Sequence, residues 1–294
     1  MYDIIKYYKD VFWIDLNDKG VIMDAKSVSV SVVMGVRYRR EDTMLLKRAI
    51  DSILSQKFDD FEFIICERES TSDAKILLSD YAESDKRVIL IDGKECSSFA
   101  EQLNKCLSVA NGRFIARMDD DDYSFPMRFQ AQVEFLESHH EYAFVGCQCL
   151  LECDGKIVGK TSFPKEPESK DFLFSQPYIH PALMFRREAI DAAEGYSLLP
   201  RCVRCEDYDL LLRLYELGFK GVNLQEPYFQ YTFPHKFITS RNLRDRLNET
   251  KTRFVRFKAL GLMPKAFIYA IKPLIVALIP PKMLAKLKSR RFYK

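Results

Sequence analysis

The stretch Phe114-Ile115-Ala116-Arg117-Met118-Asp119-Asp120-Asp121-Asp122 passes from an apolar run straight into four consecutive carboxylates. Pro126 follows, and its fixed φ suits the first turn of a helix. A short apolar run bounded by charge and then by a helix start reads as a buried strand with the charge at its carboxyl end. Four carboxylates gathered there repel one another, and a divalent cation relieves the repulsion. Hard oxygen ligands suit Mg2+ or Mn2+, which also bind phosphate oxygens. The competing reading, a solvated acidic turn, is disfavoured by the position behind a core strand. An EF-hand fits poorly, because no Gly stands at the required step and no Glu closes the loop.

Upstream, residues 28–34 alternate as a strand does, and residues 45–54 then change period, with Leu45, Leu46, Ala49, Ile50, Ile53 and Leu54 on one helical face. A strand at 61–66, a helix at 73–81, a strand at 88–91, a helix at 97–110 and the strand at 114–118 complete the pattern. Four strands alternating with three helices predict an α/β domain with a mainly parallel sheet. Ligands of such sheets bind beyond the carboxyl ends of the strands, so the loops after Met34, Cys66, Ile91 and Met118 are expected to border one site.

Downstream the pattern is less regular. A helix over 126–138, a strand over 142–151 and an Asp154-Gly155 turn into 157–159 suggest a hairpin. An apolar stretch at 182–185, a helix from Glu206, and strands at 220–224 and 228–233 follow. This half reads as a mixed-sheet extension that would hold an acceptor. Residues 1–26 read as an N-terminal extension packed on the main domain.

With 294 residues, 47% apolar and 30% charged, the chain is neither disordered nor low-complexity, and no internal repeat is visible. One domain of about 200 to 250 residues with a small appendage fits that length. The net charge of +3 hides a segregation: residues 251–294 hold twelve Lys or Arg and no Asp or Glu, so the rest is acidic. Such a tail points to a polyanion, either lipid headgroups or nucleic acid. Phe267 to Ile279 is apolar but broken by Lys272 and Pro273, and it falls short of the ~20 residues a spanning helix needs. An amphipathic pair of helices on an anionic membrane surface is the expectation, with packing on the protein's own core as the alternative. Nucleic acid fits worst, because the tail is too apolar for tracking phosphates.

The eight cysteines are scattered through apolar text and no secretory leader is visible, so a reducing cytosol is expected. Cys202 and Cys205 form a C-x-x-C that could join Cys147, Cys149 and Cys153 in a zinc site, but the second group has the wrong spacing. Buried thiols are the simpler reading.

Several ordered blocks between Ser27 and His235 resemble the family 2 glycosyltransferases of the GT-A fold, bacterial nucleotide-sugar enzymes. Met118-Asp119-Asp120-Asp121-Asp122 is similar to the family's M-D-x-D-D, and Leu103-Asn104-Lys105-Cys106-Leu107 to its L-N-K-G-L. Arg128 with Gln132-Val133-Glu134-Phe135-Leu136 follows, then His180-Pro181 through Arg187 (H-P-x-x-M-F-R-R) and Glu206-Asp207-Tyr208-Asp209-Leu210 (E-D-Y-D-L). The resemblance implies a Rossmann-like nucleotide-binding sheet with a mixed-sheet acceptor half over 27–235; beyond it, composition and charge leave 236–294 as a basic amphipathic helical tail. It implies an inverting hexosyl- or N-acetylhexosaminyltransferase that uses a UDP-sugar, with Mn2+ or Mg2+, on a saccharide or lipid-linked saccharide acceptor at the cytoplasmic face of the membrane.

On this resemblance Asp119 and Asp121 would hold the metal, with Asp119 and Asp120 beside the donor. Asp207 would be the general base, supported by Glu206. His235 would contact metal or diphosphate, although the Arg of the family's Y-R-x-H segment is Thr232 here. Gly35, Arg37, Glu67, Asn104 and His180 would line the binding surface. Two donor-side loops differ from the family: Gly35-Val36-Arg37-Tyr38 stands for P-V-Y-N, and Glu67-Arg68-Glu69-Ser70-Thr71 for D-D-G-S-T. Glu67 can still accept from a base N–H, and Arg68 can pair with phosphate. Arg37 and Arg68 are alternatively plain surface charges, and Glu206 and Asp207 alternatively acidic residues favoured at a helix start. These departures leave a second function open, a catalytically silent protein of the same fold that binds a glycan or acts as a scaffold. His139 and His140, near a helix end, carry no catalytic role.

Overall fold

The computed structural model describes residues 28–233 and 241–279; the expected N-terminal extension, His235 and the lysine-rich end lie outside the described residues. The first half alternates as the sequence predicts: β1 (Val30–Val36), α1 (Met44–Leu54), β2 (Phe61–Glu67), α2 (Ser72–Ser84), β3 (Val88–Asp92), α3 (Phe99–Val109) and β4 (Phe114–Arg117). Then come β5 (Tyr123–Ser124), α4 (Arg128–Ser138), β6 (Phe144–Cys153), β7 (Lys156–Lys160), β8 (Met184–Arg186), α5 (Arg187–Ala192), α6 (Glu206–Glu216), β9 (Gly221–Thr232), α7 (Leu243–Ala259) and α8 (Phe267–Ala277).

Among the described residues nine strands form one sheet in the order β3-β2-β1-β4-β8-β6-β9-β5, with β7 beside β6. β3, β2, β1 and β4 are parallel, so their carboxyl ends and following loops open on one edge. β8 runs antiparallel to both β4 and β6 and begins the mixed half. Alternation along the strands divides the core. Val30, Val32, Met34 and Val36 pack with α1, α2 and α4 on one face, while Val33, Ile64 and Cys66 pack with α3 and α6 on the other.

The sequence reading of two strands over 220–224 and 228–233 is corrected to one. β9 runs unbroken from Gly221 to Thr232 beside β6, with its register shifted around Gln148. Pro227 has no N–H to give the ladder, and a bulge absorbs the irregularity without ending the strand.

Buried polar groups bind the two halves together. Arg128 and Gln132, both fully buried on α4, donate to carbonyls where β4 meets the approach to β8: Arg128 Nη2 to Arg117 O (3.0 Å) and Leu183 O (3.1 Å), and Gln132 Nε2 to Ala182 O (2.8 Å). On α6 the fully buried Asp209 accepts from Arg213 Nε at 2.8 Å and from Arg256 Nε of α7 at 2.8 Å. Burial opposes that charge, but the hydrogen bonds and charges of the two arginines outweigh it and hold the carboxyl below its usual pKa. Arg213 goes on to Ala193 O and Gly195 O, so one carboxylate ties α6, α7 and the 193–195 turn.

Candidate active site

The loops after the parallel strands are laced to one another. Tyr38 N–H donates to Ser70 Oγ (2.9 Å), Thr71 N–H to Tyr38 O (2.9 Å) and Ser70 N–H to Glu67 Oε1 (2.7 Å). Arg37 and Arg39 both close on Glu69, at 2.5 and 2.7 Å, and Glu69 itself has a left-handed backbone conformation with φ of 52°. Arg68 Nη1 donates to Cys96 O at 2.5 Å, linking the second loop to the third. Arg37 and Arg68 are thus engaged within the rim, and Glu67 shapes the turn with one oxygen.

Gly35 lies inside β1, and a Cβ there would meet the Phe99 ring at 2.9 Å. Its lack of a side chain lets α3 sit close on the strand. Asn104 spends both ends of its amide on one backbone, donating to Tyr196 O and accepting from Tyr196 N–H, each at 2.8 Å. Tyr196 in turn places its hydroxyl 3.0 Å from His180 Nε2. Burial and the nearby Arg117 push the His180 pKa well down, so the imidazole is neutral. His180 is therefore a buried support beneath the mouth.

The four aspartates have four environments. Asp119 pairs with Arg117, a fully buried guanidinium that also donates to Met118 O and lies over the Phe99 ring. Asp120 is half-buried, and burial with repulsion from Asp121 and Asp119 pushes its pKa up to about 7. Asp121 is pushed up to about 6 by burial and by Asp119, and its Oδ2 accepts from Arg40 at 3.0 Å. Asp122 is fully buried; Oδ1 accepts from Thr232 N–H at 2.7 Å, while buried Oδ2 has no hydrogen-bond partner among the described residues. Arg48 of α1 braces the loop from below, with Nη1 2.7 Å from Glu152 and Nη2 2.8 Å from Asp121 O and 2.9 Å from Thr232 Oγ1.

The facing wall is the start of α6. Glu206 and Asp207 are partly buried in its first turn. Burial raises the Asp207 pKa and Asp119 raises it further, while Arg241 opposes the shift; burial and Asp207 raise Glu206. Burial raises the pKa of Tyr196, and the charges of Arg117, Asp207, Asp119 and Glu206 all bear on it, which puts the aspartate loop and the start of α6 in one neighbourhood. The structure brings Asp119, Asp120, Asp121, Glu206 and Asp207 together, with Arg117, Tyr196 and Arg241 among them. Sequence reasoning missed these last three. Arg117 carried a signal, a charge inside an otherwise apolar strand; Tyr196 and Arg241 carried none, because only tertiary folding brings them in.

A divalent cation is implied, and the donor set can be tested against it. Among the described residues no group of three or more His, Cys, Asp or Glu could hold a metal by itself. Mg2+ or Mn2+ bound with substrate phosphates needs only one or two carboxylates, water completing the shell. Asp119 and Asp121 meet that need: both are partly exposed, burial and the charge of Asp119 raise the Asp121 pKa, and the neighbouring Asp122 carries an orphaned buried oxygen. The residues fit a hard cation shared with phosphate. The cysteine alternative does not assemble: all eight thiols are free and buried, Cys147, Cys149 and Cys153 on β6 and Cys205 against Thr252 of α7.

Comparison with known proteins adds to this geometry. The family model described as Glycosyl transferase family 2 matches residues 31–192. The putative glycosyltransferase EpsE of Bacillus subtilis is 35% identical over 263 residues, 89% of this chain and 94% of that protein. The UDP-Glc:alpha-D-GlcNAc-diphosphoundecaprenol beta-1,3-glucosyltransferase WfaP of Escherichia coli is 26% identical over 248 residues, 84% of this chain and 94% of that protein. Among solved structures, S. aureus TarS 1-349 in complex with UDP-GlcNAc superposes with a TM-score of 0.64 at 13% identity, covering 89% of this chain and 79% of that chain.

Proposed function

The chain belongs to glycosyl transferase family 2, with a GT-A fold, and from that premise we propose that it is an inverting, metal-dependent transferase that moves a sugar from UDP to a saccharide or lipid-linked saccharide in surface glycan synthesis. One observation carries this reading. Carboxylates from the loop after β4 and from the start of α6 meet at one mouth, near enough for Asp119 to raise the pKa of Asp207. The UDP-GlcNAc bound to TarS and the UDP-Glc and diphosphoundecaprenol in the name of WfaP support the donor and acceptor classes.

Displacing a nucleoside diphosphate from an anomeric carbon calls for a base on the face opposite the leaving group. Asp207, on the wall facing the aspartate loop, is that base, and a raised pKa brings its basicity closer to working pH. Burial and Asp119 keep that pKa up and Arg241 limits the rise, while Asp207 in turn raises the neighbouring Glu206, which supports it from the same helical turn. Arg117 is paired with Asp119, whose charge offsets the burial of the guanidinium. Asp119 and Asp121 would hold the cation, which when bound neutralises charge on the departing diphosphate. Direct attack from the opposite face inverts the anomeric centre.

The test is titration calorimetry of nucleoside diphosphates with and without Mn2+, followed by NMR of the product anomer. UDP is expected to bind only with Mn2+, and the product to have the anomeric configuration opposite to the donor. Tighter binding of another base would reassign the donor, retention would remove Asp207 as direct base, and failure of every nucleotide would favour the silent glycan-binding reading.

We further infer attachment to the cytoplasmic face of the membrane. No helix among the described residues is long and apolar enough to cross a bilayer. α8 nevertheless exposes Phe267, Ile268 and Ile275, Leu278 just after it is exposed too, and lysines and arginines crowd the sequence that follows. Apolar side chains beside basic ones suit an anionic interface. Replacing Phe267 and Ile268 by Ser is expected to weaken co-sedimentation with phosphatidylglycerol vesicles by about tenfold or more. Unchanged binding would discard the interfacial role of α8.

A further inference from the structure

Four arginines approach the mouth from the segment after β1 and from α1, and they are held very differently. Arg37 and Arg39 are taken by Glu69. Arg48 is fixed by partners on three elements: Glu152 at the end of β6, Thr232 at the end of β9 and the carbonyl of Asp121. Arg40 crosses the mouth alone. Its Nη2 lies 3.0 Å from Asp121 Oδ2, its side chain is 50% exposed, and it sits on the short segment between β1 and α1. Arg48 is a strut that holds a backbone oxygen, whereas Arg40 covers the charge of a side chain and has solvent in which to move.

We propose that Arg40 is a placeholder cation, resting on Asp121 while the donor is absent and passing to the donor's diphosphate when a metal ion takes the carboxylate. The inference rests on the assignment of Asp121 as a metal ligand in the proposed function. A divalent ion on Asp119 and Asp121 would put two positive charges against the Arg40 guanidinium and drive it off. The diphosphate delivers oxygens into the same mouth, and the planar fork of an arginine matches a pair of phosphate oxygens. Metal alone has to displace Arg40 with nothing to receive it, whereas metal arriving with the diphosphate gives Arg40 a better partner. Metal and nucleotide therefore favour each other's binding, and the coupling is reciprocal. Arg117 does not share this role, since it is buried and also held by Met118 O.

The experiment compares the full-length protein with its Arg40→Gln variant. Mn2+ binding without nucleotide is read by electron paramagnetic resonance, and UDP binding at saturating Mn2+ by calorimetry. Removing a half-exposed ion pair is expected to tighten Mn2+ alone by about 2- to 5-fold. Losing a charged donor to the diphosphate is expected to weaken UDP by about tenfold or more. The opposite movement of the two affinities is the signature, because general damage to the mouth would weaken both. Arg48→Gln provides that contrast and is expected to weaken both. Mn2+ affinity in Arg40→Gln that is unchanged or weaker, or UDP affinity that is unchanged, overturns the placeholder role while leaving the metal assignment intact. Absence of Mn2+ binding to either protein even with UDP present removes the metal assignment and the placeholder with it.

Discussion

Asp207→Asn is expected to lower the rate of sugar transfer by about 10²- to 10⁴-fold, the range general-base catalysis commonly contributes. UDP affinity should stay near that of the parent, because Asp207 belongs to α6 and not to the loops that meet the nucleotide. The variant should also be the more stable protein at neutral pH. Burial raises the Asp207 pKa in the folded state, so its protonated form favours folding below the ordinary carboxylate range, and that advantage is lost as pH rises through the raised value. Asparagine removes the penalty at neutral pH. In the parent, transfer should fall as the solution is acidified through the raised pKa, with an inflection above that of a free aspartate. Steady-state kinetics, calorimetry and thermal melts together check the pattern. Parent-like turnover in Asp207→Asn would dismiss Asp207 as the base.

Asp121→Ala is expected to cost about 10³-fold or more in turnover, since a bound cation contributes several kcal/mol of charge stabilisation. Mn2+ should no longer enhance UDP binding. The fold should survive: the Asp121 side chain is partly exposed and repelled by Asp119, while the loop is held through its backbone by Arg48 and through Asp122 by Thr232 N–H. Melting temperature is the control. Mn2+-dependent UDP binding of parental strength in this variant would show that the ion sits elsewhere.

The parallel half was readable because its strands and helices have different hydrophobic periods and each lasts long enough to be recognised. Met44–Leu54 and Phe61–Glu67 illustrate the change of period. β5 has two residues, Tyr123 and Ser124, and is a strand only because β9 pairs with it, so no local pattern announces it. β9 looked like two strands because Pro227 interrupts its text, but the bulge that absorbs the proline is supplied by β6. At the site, the aspartate run was legible as charge after an apolar strand, yet its members could not be told apart. Asp122 is a structural clamp and Asp121 faces the mouth, a distinction made by Thr232 and Arg40 from distant parts of the chain. Gly35 and Asn104 illustrate another limit. Both are constrained, Gly35 by the ring of Phe99 and Asn104 by the backbone of Tyr196, and a sequence cannot separate a residue held by its neighbours from one kept for a ligand.

Asp209 stands two positions after Asp207 on the same helix, and its second arginine comes from α7. A chain trimmed ahead of Arg256 would keep every carboxylate of the mouth and still leave a buried anion without one of the two arginines hydrogen-bonded to it. The helix that aims Asp207 would then settle in a new orientation. Inactivity of such a trimmed protein would report lost aim, and any search for the smallest working enzyme has to begin beyond that arginine.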